Sequence, residues 1–344
     1  MAATERFEIF DLDSNRPITD DEIDRCARLV ERLARTGGHG AVFGDEAAWT
    51  SPDGRTAHGV LSPYTVDRFD ADFVRRLRLN THIFTAYRLD DIVSGRRTPS
   101  WTDMIGDAFP GDWPDWSIPA YRHYCRGLPA DLIARPPLVA GEVGFKVDGA
   151  CVNRDVVAYQ ERLFLLHWSG ILDRLRRIER PRILEIGGGY GALAYFLTRA
   201  LPDADYVVVD LPSSLMYSGC YLTVAQTTHA VGVSDGGPAD APRQIALVAN
   251  SAAAGVTARR FDLAVNTASF AEMPPHVVHS YAALIRATLA PDGLLFEQNV
   301  SLNAVGRANF CSPEEILREL FPVERQIAGT YIWGTPRVWA ATGG

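Results

Sequence analysis

An apolar run, Arg182-Ile183-Leu184-Glu185-Ile186, meets a glycine cluster, Gly187-Gly188-Gly189-Tyr190-Gly191. A helix-like run follows (Leu193, Ala194, Phe196, Leu197), and then a second apolar run, Tyr206-Val207-Val208-Val209, ends on Asp210. Strand, glycine loop, helix, strand and acid in that order predict a βαβ unit. Its loop lays bare backbone against a ligand at the mouth of a parallel sheet.

The rest of the C-terminal half keeps the alternation. Strands are expected at 182–186, 206–210, 245–249, 262–266 and 293–298, with helices at 190–200, 213–226, 276–289 and 313–320. Alternating βα units imply a doubly wound, mostly parallel α/β sheet. Two final strand candidates, 322–330 and 335–341, have no helix between them, so they form an antiparallel terminal hairpin. The stretch 232–242, with Gly236-Gly237-Pro238, reads as a surface loop.

Upstream, 20–35 reads as an amphipathic helix behind a Thr19/Glu22 capping box, and 67–93 as a longer helix. The Trp- and Pro-rich stretch 98–120 reads as an ordered lid or packing loop. A hairpin is expected over 143–152, turning at Asp148-Gly149. Asn153 or Asp155 then caps a helix reaching about Arg177. At 344 residues the chain suits about two domains. The expected division is 1–150, a mainly helical cover or dimerisation domain, and 151–344, the sheet domain.

A net charge of -8 argues against nucleic acid as a partner. Lys146 is the only lysine, so Schiff-base chemistry would have to use it. Five scattered cysteines contain no Cys-x-x-Cys pattern and suggest neither a zinc site nor a disulfide framework. No signal-like or membrane-length apolar run occurs, and a reducing cytoplasm is the expected location.

Two ligand classes compete for the loop. Gly187, Gly189 and Ala192 satisfy the dinucleotide pattern G-x-G-x-x-(G/A), with Asp210 near the ribose acid. Glu185, Gly187, Gly189 and Gly191 satisfy the tighter acid-x-Gly-x-Gly-x-Gly. The second form is favoured by the position of Glu185, the third glycine, the lack of a second nucleotide half and the terminal hairpin.

On these residues the chain resembles class I S-adenosylmethionine-dependent methyltransferases over about 155–344. The resemblance implies a Rossmann-like sheet and S-adenosylmethionine as cofactor, with S-adenosylhomocysteine as product. It implies that the glycine loop, Gly187 to Gly191 with Gly188, carries the methionine part and that Glu185 lies near its ammonium. Asp210 would bind the ribose, Leu211 would pack on adenine, and Asn250-Ser251 would reach the adenine edge. Asn266-Thr267 would line the floor, and Tyr159 would meet the carboxylate. Three phrases, Gly144-Phe145-Lys146-Val147-Asp148-Gly149 with Asn153, Ala268-Ser269-Phe270-Ala271-Glu272-Met273 and the loop, resemble the sugar O-methyltransferases of bacterial natural-product and polysaccharide clusters. That finer resemblance implies a sugar hydroxyl as acceptor.

Sugar hydroxyls are weak acids, so a base near strands 4 and 5 is useful. The candidates are Glu272, His276 and His279, with Glu297 facing the substrate. Glu272 with Glu297 would also suit a divalent cation, although Gln298-Asn299 supplies no second acid, and no metal is assigned. Competing readings are an N- or C-methyltransferase, a nicotinamide oxidoreductase, and a non-catalytic assembly partner of the same fold. A homodimer is a further expectation.

Overall fold

The computed structural model describes residues 8–36, 69–81, 113–225, 227–237, 242–299, 311–329 and 331–341. The part of the expected 67–93 helix beyond 81 and the tryptophan-rich stretch before 113 lie outside these residues.

The N-terminal part contributes strand β1 (Ile9–Phe10), helices α1 (Asp20–Thr36), α2 (Ala71–Thr81) and α3 (Trp113–Cys125), and strands β2 (Gly144–Val147) and β3 (Ala150–Val152). The α1 capping box forms: Glu22 N–H donates to Thr19 Oγ1 at 3.3 Å, and Thr19 N–H to Glu22 Oε2 at 2.9 Å. Cys26, Leu29, Val30 and Leu33 of α1 are buried at helical spacing. Each large apolar side chain so buried contributes roughly 1.5–3 kcal/mol. β2 and β3 turn at Asp148 (φ 50°) and Gly149 (φ 78°), the two left-handed positions that a tight hairpin needs.

Helix α4 (Arg154–Trp168) begins where expected, with Val156 N–H donating to the Asn153 side chain at 3.0 Å. It does not run unbroken to Arg177. Gly170 takes φ 78° and ends it, and the short helix α5 (Ile171–Leu175) follows. A left-handed glycine closes a helix because it carries no Cβ to clash.

Next come β4 (Arg182–Ile186), α6 (Ala192–Ala200), β5 (Asp205–Asp210), α7 (Pro212–Val224), β6 (Ala230–Ser234), β7 (Gln244–Ala249) and β8 (Phe261–Thr267). The chain continues with α8 (Pro275–Thr288), β9 (Leu289–Asn299), α9 (Pro313–Leu320), β10 (Val323–Gln326) and β11 (Thr335–Ala340). The eight-stranded sheet has the order β10-β11-β9-β8-β4-β5-β7-β6. Its pairs are parallel, except that β11 runs antiparallel to both β9 and β10. The mostly parallel α/β sheet and the antiparallel closing hairpin are therefore present. β6 corrects only the start of the surface-loop expectation for 232–242: Gly232-Val233-Ser234 belong to a strand that joins the sheet edge, and 235–237 leave it again.

Successive strand residues face opposite layers. Ile183, Tyr206, Val208, Leu247, Val265 and Phe296 pack with α1, α4, α6 and α7. Leu184, Val207, Val209, Ala264, Leu295 and Trp339 pack with α8 and α9. Apolar residues before and after position 150 share the first of these cores.

Candidate functional site

Strand order reverses at β4, with β5 on one side and β8 on the other. Ligands of open parallel sheets bind outside the carboxyl ends of the strands at such a switch point. The glycine loop lies there. Gly187 (φ 79°), Gly189 (φ 54°) and Gly191 (φ 91°) are all left-handed, a conformation that costs other residues roughly 1–2 kcal/mol. At Gly187 a Cβ would collide with Ser269, and at Gly188 with Val208. Gly191 is the N-cap of α6.

Two carboxylates flank this loop on one layer. Glu185 near the end of β4 is buried, and Tyr206 Oη–H donates to its Oε2 at 2.9 Å. Burial pushes the Glu185 carboxyl up to about 8, despite the hydrogen bond from Tyr206 and the positive charge of Arg162. Asp210 ends β5 half-buried, and Leu211 N–H donates to its Oδ1 at 2.8 Å. Burial raises Asp210 to about 6, while the amides of Leu211, Gly189 and Gly188 and the Ser214 hydroxyl hold it down.

Tyr159 is brought to this cluster from α4. Its ring meets Tyr190 of the glycine loop edge-on at 5.7 Å. One turn on, Arg162 is 2% exposed and stacks 5.0 Å from the Tyr159 ring. Its Nε is buried and has no hydrogen-bond partner among the described residues. A buried cation with an unused donor beside the glycine loop can receive a carboxylate. Sequence reading missed Arg162, although its spacing from Tyr159 puts both on one helix face.

Tyr190 is itself anchored from α2. The Arg78 guanidinium lies 3.9 Å from the Tyr190 ring, donates to Glu142 at 2.7 Å and 3.1 Å, and donates to Asp155 at 3.0 Å. Arg78, Glu142 and Asp155 are all buried. No local pattern announces such a cluster across the chain.

Asn266 at the end of β8 has its polar groups committed within the protein. Its Nδ2 donates to Ile186 O at 2.9 Å and to Ser269 Oγ at 2.6 Å, and its Oδ1 accepts from Phe270 N–H and from Asn299 Nδ2. It is a strut joining the ends of β4, β8 and β9, with Thr267 buried beside it. Ala268 follows at φ 66°, and holding a residue other than glycine there stores strain beside Gly187.

Glu297 is fully buried. Asn299 Nδ2 donates to its Oε1 at 2.7 Å, and Arg337 lies 3.5 Å from its Oε2. Burial raises its carboxyl to about 7. It faces the layer of α8 and α9, whereas Gln298 faces α4 and donates to Glu161 at 2.7 Å. Glu297 is thus enclosed rather than open to a substrate.

Glu272, His276 and His279 are all exposed, Glu272 in the turn after Ser269 and the histidines in the first turns of α8. Leu211 is the N-cap of α7, and Asn250 is buried at the end of β7. Ser251 Oγ donates to Thr36 O at 3.2 Å, which ties the end of α1 to this edge of the site. Among the described residues no three His, Cys, Asp or Glu side chains gather as a metal site, and no helix is long and apolar enough to cross a membrane.

No protein-family model matches the chain. A release factor glutamine methyltransferase of Deinococcus radiodurans is 45% identical over 58 residues, covering 17% of this chain and 20% of that protein. The match thus spans about a fifth of that relative's length. Among solved structures, a candidate O-methyltransferase from Nostoc punctiforme has a TM-score of 0.38 at 11% identity, over 53% of this chain and 58% of the other. The 16S rRNA N2 G1207 methyltransferase of Thermus thermophilus, bound to AdoMet and guanosine, has a TM-score of 0.36 at 20% identity, over 51% and 42%. At such scores the fold rests on the strand order itself, a mostly parallel sheet closed by an antiparallel hairpin.

Proposed function

We propose that the chain is an S-adenosylmethionine-dependent O-methyltransferase acting on a hydroxyl of a sugar or glycosylated natural product. One observation carries the reading: Glu185 and Asp210 end adjacent parallel strands, face one layer and flank three left-handed glycines. The relatives named above are methyltransferases by description, which agrees with it.

The residues present suit that cofactor. The Glu185 carboxylate matches an ammonium, the free Arg162 Nε–H matches a carboxylate, and Asp210 matches a pair of ribose hydroxyls. Leu211 offers an apolar face to adenine, and Asn250 and Ser251 lie where its edge would come. Asn266 holds the floor in place through its bonds to Ile186, Ser269 and Asn299. When bound, the cofactor supplies an electrophilic methyl on a sulfonium. The protein's task is to hold an acceptor oxygen about 3–3.5 Å away and in line.

Glu272, His276 and His279 are the groups proposed to take the hydroxyl proton, worth about 10²- to 10⁴-fold in rate. With Glu297 enclosed against Arg337, its role is to set the position of Asn299 and thereby of the Asn266 strut. A homodimer working in the cytoplasm completes the proposal. The test is incubation with methyl-labelled S-adenosylmethionine and a panel of free and glycosylated acceptors, read by mass spectrometry. A sugar methyl ether supports the reading. Label found only on nitrogen or carbon acceptors overturns the hydroxyl assignment.

A further inference from the structure

Away from the glycine loop, a cavity of about 430 Å³ opens between α1, the end of α7 and β6. β6 is the terminal strand of the sheet and is separated from β5 by β7. Ala230 N–H donates to Arg243 O at 3.0 Å, toward β7. Backbone groups alternate sides along a strand, so Val231 and Val233 turn their N–H and C=O groups to the edge that no described strand covers. An edge of this kind is a template for another strand.

The opposite wall of the cavity is cationic. Arg25, Arg28 and Arg32 line it from α1. Arg25 is partly engaged, 3.4 Å from Asp21 and donating to Thr223 O at 3.3 Å. Arg28 and Arg32 are exposed, and neither pairs with a carboxylate among the described residues. In a chain of net charge -8, this is a local concentration of positive charge that no carboxylate of the described residues offsets. Gly232 lines the cavity with backbone alone, since strand alternation turns its Cβ direction toward the layer of Ala246 and away from α1.

The two walls share a repeat. Arg28 and Arg32 are four residues apart, about 6 Å along a helix. Alternate residues of an extended strand are about 6.6 Å apart. A strand lying along β6 with acids at alternate positions would therefore bring successive carboxylates to Arg28 and Arg32, while its backbone pairs with Val231 and Val233.

We propose that this groove docks an extended acidic segment of a partner protein by strand addition to β6. Backbone pairing provides the grip, and the arginines select for carboxylates at alternate positions. The site is independent of methyl transfer, since none of these residues belongs to the glycine-loop cluster.

The probe is a fluorescein-labelled peptide of alternating Glu and Val, read by anisotropy against the full chain. Its controls are the Lys-Val counterpart and an alternately N-methylated Glu-Val peptide. Saturable binding of the acidic peptide alone is expected. The double variant Arg28→Glu/Arg32→Glu should weaken it by about tenfold or more. That variant should keep the wild-type circular dichroism spectrum and S-adenosylhomocysteine affinity. No acidic-peptide binding, equal binding by the double variant, or equal binding of the N-methylated peptide would each overturn strand docking. Stabilisation of the wild type by inorganic pyrophosphate, with no peptide binding, would make the groove a small-anion site instead.

Discussion

Tyr206 on β5 donates its hydroxyl hydrogen to Glu185 Oε2 on β4 at 2.9 Å, across the strand pair that carries the glycine loop. The bond fixes the carboxylate at the foot of the loop without supplying a positive charge. Burial therefore dominates, and the group sits at about 8 rather than 4.5.

That shift sets a pH window. A carboxyl raised on folding is stable with its proton on, so its contribution is fully present below about 4.5 and is lost as pH rises through about 8. The loss runs at up to about 1.4 kcal/mol per pH unit. Glu185→Gln should accordingly raise the melting temperature at pH 9 and leave it nearly unchanged at pH 4, as measured by thermal unfolding. Equal effects at both pH values would mean that Glu185 does not titrate in this range.

The same shift predicts proton release on binding. A ligand ammonium favours the ionised carboxylate, so S-adenosylhomocysteine should bind more tightly as pH rises from 6 to 8. Calorimetry at pH 7 in buffers of different ionisation enthalpy should show protons leaving the protein. Proton uptake would count against an ammonium beside Glu185.

Arg162 and Asp210 should be separable by ligand. Arg162→Met should weaken S-adenosylhomocysteine by roughly 1.5–3 kcal/mol, the scale of a charged hydrogen bond. It should leave 5′-methylthioadenosine, which lacks the carboxylate, unaffected. Asp210→Asn should weaken both ligands, since both carry the ribose. Titrations with the two ligands check each variant, with circular dichroism as the control for folding.

Gly187 is constrained twice, by its φ of 79° and by Ser269 above it. Gly187→Ala should destabilise by the left-handed penalty, roughly 1–2 kcal/mol, plus an overpacking cost of about 1–3 kcal/mol. Adding Ser269→Gly should recover the second part and not the first. Denaturant unfolding of the two single variants and the double variant measures the difference.

Much of this was legible where neighbours in sequence do the physical work. The Thr19/Glu22 box, the Asn153 cap, the Asp148-Gly149 turn and the glycine loop all act within a few residues, so composition and spacing reveal them. The hairpin after α9 was readable because no helix intervenes. β6 was missed because Gly232 interrupts a short apolar run beside a Gly-Pro stretch, which looks like a loop until β7 pairs with it. The break at Gly170 was missed because the apolar face continues across it into Ile171 and Leu175. Contacts that join distant residues, such as Arg78 with Glu142 and Asp155, Arg162 near Glu185, and Asn299 with Asn266, leave no local trace. Only the fold brings those charges and amides together.

The proposed bases should act on turnover and not on cofactor affinity. His276→Ala or Glu272→Ala should lower kcat by about 10²- to 10⁴-fold with S-adenosylhomocysteine affinity unchanged. Normal turnover in both variants moves the role to His279, which His279→Ala then tests by the same steady-state assay.

The central claim is that the backbone from Glu185 to Gly191 receives a sulfonium donor rather than a pyridine nucleotide. Isothermal titration of the purified full chain with S-adenosylhomocysteine and, in parallel, with NAD tests it directly. Stoichiometric heat from S-adenosylhomocysteine, lost in Asp210→Ala, and none from NAD is the predicted result. Binding of NAD with no response to S-adenosylhomocysteine would contradict the account.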